Sequence, residues 1–112
     1  MIAANVWLLS PLVKQTFMNI NHIHPLKQHR LGAFLDEVEK YPEIKRVVVF
    51  GSSTSEACTE FSDVDVLLFG GFGSKFVPPS NDEYDILYAE RLPKEASIWN
   101  EIRRDGVVIY EA

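Results

Sequence analysis

A chain of 112 residues can build one hydrophobic core and one domain. Its 46% hydrophobic and 24% charged content is that of a globular protein, and its net charge of −5 argues against a binding surface for long nucleic acid, which needs basic residues. The single cysteine, Cys58, excludes a disulfide within this chain and reads as a small buried hydrophobe, in keeping with a reducing, cytoplasmic compartment.

The opening "MIAANVWLLSPLV" is apolar but far short of the ~20 residues of a membrane span. It also lacks the basic flank and the small-residue cleavage site of a targeting signal, so no membrane partner is expected. Residues 1–27 are expected to form a flexible extension, with Met18 as an alternative start, and residues 28–112 the domain. His22 and His24 resemble a metal-binding pair, but no acidic or cysteine partner lies near them, and they read as part of a solvated segment.

Leu31, Phe34, Leu35 and Val38 recur at three- and four-residue steps and predict a helix that stops by Pro42. "KRVVVF" predicts a strand ended by Gly51, and "SSTSEAC" a short helix starting at Ser52 or Ser53. "SDVDVLLF" predicts a second strand and "GGFGSKFVPPSN" a connecting loop; "EYDILYAE" predicts a third strand. "LPKEASIWNEIRRDG" predicts a helix with Ile98, Trp99 and Ile102 inward and Gly106 as its C-terminal cap, and "VVIYE" a last strand. Arg103 and Arg104 suit the negative end of that helix, and Trp7, Phe72, Phe76 and Trp99 suit core or interface packing. This order implies an α+β fold, a small mixed sheet with flanking helices around one core.

Alternation along a strand puts Asp63 and Asp65 on one face, with Cα atoms about 6.5 Å apart, and Val64, Val66 and Leu68 on the other, toward the core. Two adjacent carboxylates repel unless a cation lies between them, and all-oxygen ligands favour Mg²⁺ or Mn²⁺. Asp85 can complete the set if the third strand pairs beside the second, and three carboxylates around divalent ions suit an in-line displacement at phosphorus. Gly51 and Ser52, between a strand and a helix start, suit the close approach of a phosphate to the backbone. Together these features point to a nucleoside triphosphate.

"FGSSTSEACTEFSDVDVLLF" resembles the signature of the DNA polymerase β-like nucleotidyltransferase superfamily, in which an apolar strand leads to Gly-Ser and Ser-Asp-x-Asp opens the next strand. The pattern is most similar to the minimal nucleotidyltransferase domains, short relatives of kanamycin nucleotidyltransferase, and covers roughly residues 28–112. The resemblance implies a polymerase β palm-like fold and Mg²⁺-dependent transfer of a nucleoside monophosphate, usually AMP from ATP, to an acceptor hydroxyl. By position, Gly51 and Ser52 would hold the triphosphate and Asp63, Asp65 and Asp85 the metal, with Asp85 helping to activate the acceptor. It further implies a partner, a helical HEPN-type protein for which the chain acts as antitoxin, or a second copy of the chain.

Two departures stand out. Ser55 and Glu56 occupy the positions where many minimal domains have Arg-Gly, which removes a cation from the phosphates; Arg30, Lys45, Lys75 or an arginine supplied by a partner are the candidate substitutes. The segment between Asp65 and Asp85 is short, which favours adjacent antiparallel strands. The competing reading is a catalytically weak or inactive domain of the same fold that acts as an antitoxin by protein contact.

Overall fold

The computed structural model describes residues 5–77 and 83–112. Helix α1 (Pro25–Val38) opens on a proline, whose fixed φ suits the first helical position; His24 caps it by accepting the Leu26 N–H on Nδ1 at 3.2 Å. The expected stripe of Leu31, Phe34, Leu35 and Val38 is buried. There follow β1 (Ile44–Phe50), β2 (Val64–Gly70), β3 (Tyr84–Tyr88), α2 (Ile98–Asp105) and β4 (Val107–Glu111). Among the described residues these strands form one sheet in the order β3-β2-β1-β4. Strand β1 runs antiparallel to β2 and β4, and β3 runs parallel to β2, so the fold is α+β with a mixed sheet.

The apolar run Val47–Phe50 follows from the central place of β1, which is covered on both faces. Val47 and Val49 join Val64, Val66 and Leu68 against the α1 stripe, while Val48, Phe50 and Leu67 meet Ile102 of α2. Each fully buried side chain of this size contributes about 1.5–3 kcal/mol. Ile98 and Trp99 pack beside Ile102 as expected, and the Gly106 N–H closes α2 on the Ile102 carbonyl at 2.8 Å. The helix is shorter than predicted, starting only at Ile98.

Strand β3 lies beside β2 but parallel to it, not antiparallel as the short connection suggests. A parallel neighbour needs a crossover of about a dozen residues, and the stretch between Gly70 and Tyr84 has that length. Residues 78–82, which include the end of this predicted loop, lie outside the described residues. The described part is packed: the Phe72 ring lies 4.7 Å from Phe76 and 5.2 Å from Tyr88, and the Phe72 N–H donates to Glu90 Oε1 at 2.9 Å.

The predicted division at residue 28 falls inside α1, and the segment before the helix is packed against the domain rather than set apart from it. Ile20 and Ile23 are buried. The fully buried Gln28 accepts the Ser10 N–H at 2.7 Å and donates to the carbonyls of Ile23 at 3.0 Å and Leu8 at 3.3 Å. Asn19, at φ 58°, donates from its side chain to the Val108 carbonyl at 2.8 Å, on the edge strand of the sheet. Residues 1–4 lie outside the described residues. No helix among the described residues is long and apolar enough to cross a membrane.

Candidate active site

Strand β1 ends at Gly51, whose φ of 77° favours glycine. A second constraint acts at the same atom. A Cβ on Gly51 would collide with Asp65 Oδ2 and stand 3.4 Å from Asp65 Cγ. Antiparallel pairing of Phe50 with Asp65 creates this approach, so the glycine and the carboxylate occupy one corner of the sheet.

The short helix expected from Ser52 or Ser53 is a single 3₁₀ turn, Gly51–Thr54. It is closed by Thr54 Oγ1 donating to the Gly51 carbonyl at 2.9 Å, and it ends where Ser55 turns to extended geometry. One turn sums few peptide dipoles, so an anion here would be met chiefly by close backbone approach and by Ser52. Ser53 is fully buried; its carbonyl accepts the His24 N–H at 2.8 Å, while its Oγ has no hydrogen-bond partner among the described residues.

Asp63 stands one residue before β2, and Asp65 lies within it. Asp85 pairs in register with Asp65 across the parallel β2–β3 ladder. Neighbouring strands are about 4.8 Å apart, and in-register side chains share a face. Leu67, two residues on from Asp65, packs with α2, so this is the face that α2 covers. Of the three, Asp63 and Asp85 are exposed and Asp65 is partly buried. Its carboxyl is accordingly pushed up to about 6, first by burial and then by the negative charges of Asp85, Glu101 and Asp63.

Glu101 was absent from the residues singled out by sequence. It belongs to α2, three residues beyond the inward-facing Ile98, which puts it at the border of the apolar stripe; that spacing is the signal that could have found it.

Of the candidate substitute cations, Arg30 lines a cleft with Asp63. Arg30 pairs with Glu83 at 3.1 Å, Lys45 sits at the opposite end of β1 from Gly51, and Lys75 belongs to the connector beyond Gly70. Ser55 Oγ instead accepts the Ala57 N–H at 2.9 Å, a local turn bond. Lys27, fully buried, donates to the Glu60 carbonyl at 3.3 Å. The histidines serve the packing: His22 Nδ1 bonds the Asn5 carbonyl at 2.8 Å and His24 caps α1. Burial, and then the charge of Lys27, hold His24 below its ordinary pKa. Cys58 is buried as expected, and burial raises its thiol pKa.

Among the described residues, no three His, Cys, Asp or Glu side chains are gathered into a ready-made metal cage. The donor chemistry nonetheless fits a hard divalent cation. Asp63, Asp65 and Asp85 offer only oxygen, and the Asp65 carboxyl, raised first by burial and then by repulsion from Asp85, Glu101 and Asp63, stands in a negative field that a divalent cation relieves.

Residues 31–108, most of the chain, match the family model of the nucleotidyltransferase domain, a stretch that includes Gly51, Ser52 and all three aspartates. No curated protein matches the sequence.

Proposed function

The chain belongs to the nucleotidyltransferase domain family, and from that premise we propose that it transfers AMP from ATP to an acceptor hydroxyl in a Mg²⁺-dependent reaction. The observation that carries this reading is the in-register pair Asp65 and Asp85, with Asp63 before them and the Gly51 backbone against Asp65.

In this reading Asp63, Asp65 and Asp85 would hold a divalent cation, which when bound would neutralise triphosphate charge and polarise the reacting phosphorus. Gly51, having no Cβ, lets the Asp65 carboxylate come up against the turn, whose backbone and Ser52 hydroxyl hold the phosphates. Asp85 is exposed and takes the proton of the acceptor hydroxyl. The acceptor oxygen then bonds to the α-phosphorus as the bond to the bridging oxygen breaks and pyrophosphate leaves. Glu101 adds negative charge beside Asp65 and so strengthens the demand for a cation there.

The chain offers limited surface to enclose a large acceptor, which supports a second protein, a helical HEPN-type partner or another copy, as the other wall. Val6, Leu8, Leu9, Leu12 and Met18 are exposed on the N-terminal segment and give such a partner an apolar surface. The reading thus includes a role as the antitoxin of a pair.

Ser55 in place of an arginine, with Arg30 already committed to Glu83, favours the second reading, a domain that binds nucleotide or partner without turnover. Titration calorimetry of ATP with Mg²⁺, followed by turnover assay of the same samples, separates the two. The transferase reading expects Mg²⁺-dependent binding and turnover, both lost in Asp63→Asn/Asp65→Asn. Binding without turnover in the presence of the partner would favour the contact-only domain.

A further inference from the structure

On the transferase reading, which names the anion, we propose that Lys27, buried at the start of α1, is the cation that serves the Gly-Ser turn in place of the arginine missing at Ser55. Its charge favours the triphosphate of the nucleotide and is indifferent to the nucleoside.

Lysine is almost never fully buried unless a carboxylate pairs with it. Lys27 is 0% exposed, and no ion pair among the described residues engages it. An ammonium has several protons to donate, and here it has one acceptor among the described residues, the Glu60 carbonyl, at a long 3.3 Å. Arg30, one turn further along α1, differs on both counts: it is partly exposed and pairs with Glu83 at 3.1 Å. A methionine at position 27 would fill a similar volume without the cost of an unpaired buried charge. Such departures from the packing rules belong to functional sites.

The position of the side chain names the function it serves. The Lys27 N–H donates to the His24 carbonyl at 2.9 Å, and the His24 N–H to the Ser53 carbonyl at 2.8 Å, so the start of α1 is bonded to the Gly51–Thr54 turn. From there the Lys27 side chain reaches the loop that runs from this turn to Asp63, and meets it at Glu60. Ser55 belongs to the same loop, where its carbonyl accepts the Cys58 N–H at 3.2 Å. Cys58 feels the ammonium: burial pushes its thiol up, and the Lys27 charge acts against that rise. The cation thus stands beneath the loop on which the arginine is missing. An enclosed charge is poorly screened by water and salt, so its field reaches further than that of an exposed lysine. Being enclosed, Lys27 does not touch the phosphates. It is a positioning residue that makes the turn more attractive to an anion, in proportion to the charge the anion carries.

The test uses the full chain with Mg²⁺ and follows the backbone amides of Gly51 and Ser52 by NMR during titration with ATP and, separately, with adenosine. Lys27→Met removes the charge and keeps the volume; Lys27→Gln removes the charge and keeps a donor for the Glu60 carbonyl. Each is expected to weaken ATP binding about 10-fold and adenosine binding by less than about 2-fold. Lys27→Met should melt no lower than the parent chain, because it removes an unpaired buried charge. Lys40→Met, an exposed lysine beyond the opposite end of α1, should change neither affinity. ATP affinity unchanged in both Lys27 variants, or ATP and adenosine weakened alike, would overturn the proposal and leave Lys27 a structural pin. Lys27-dependent ATP binding in a parent chain that transfers nothing would overturn the transferase reading and leave this role of Lys27 standing.

Discussion

Gly51 carries two constraints at one atom, a positive φ and the Asp65 carboxylate in the place a side chain would take. Gly51→Ala should therefore lower stability by about 1–3 kcal/mol, seen as a lower melting temperature, and remove ATP turnover. Asp65 gives a prediction whose sign depends on pH. Its folded-state pKa of about 6 lies above the ordinary value of 3.8, so the folded protein holds the proton more tightly than the unfolded chain. The stability linked to this group is fully present below pH 3.8 and is lost as pH rises through 6. In the presence of a chelator, Asp65→Asn should raise the melting temperature above pH 7 and have little effect near pH 4. Added Mg²⁺ should raise the melting temperature of the parent chain at pH 7 and not that of the variant; a variant less stable than the parent in chelator would contradict the assigned repulsion.

At the scale of elements, the site depends on the register of three strands and on what holds them. Patterning made the helix stripe, the central strand and the Asp63–Asp65 spacing legible, because periodicity is a local property. The direction of β3 was not, since it depends on how the chain crosses between β2 and β3 rather than on any residue within the strand. Nor was Glu101, whose place beside Asp65 follows from the packing of α2 on the sheet. The N-terminal segment was missed for a similar reason. Its anchor is a polar residue, Gln28, which reads as surface by composition and is fully buried by its bonds to Ser10, Leu8 and Ile23. Gln28→Ala would leave those backbone groups unpaired, lowering stability by about 2–3 kcal/mol and opening residues 5–24 to limited proteolysis. Unchanged resistance to protease would mean that the segment is held by its other contacts.

For the molecule as a whole, family and fold agree: a small α+β domain with a mixed sheet, matched over residues 31–108, gathers its carboxylates where β1 ends and β2 and β3 begin. Asp63 and Asp65 were legible because Asp-x-Asp adjoins a strand, and Asp85 because it lies within one, while Glu101 is brought beside Asp65 only by the fold. The central claim is that this site moves a nucleoside monophosphate rather than a phosphoryl group. Parallel reactions with α-labelled and γ-labelled ATP, Mg²⁺ and any protein that co-purifies with the chain test it most directly. Label is expected on the acceptor from α-labelled ATP only, with labelled pyrophosphate released from γ-labelled ATP, and neither with Asp63→Asn/Asp65→Asn. Acceptor labelling from γ-labelled ATP, or α-labelling that survives in the double variant, would contradict it.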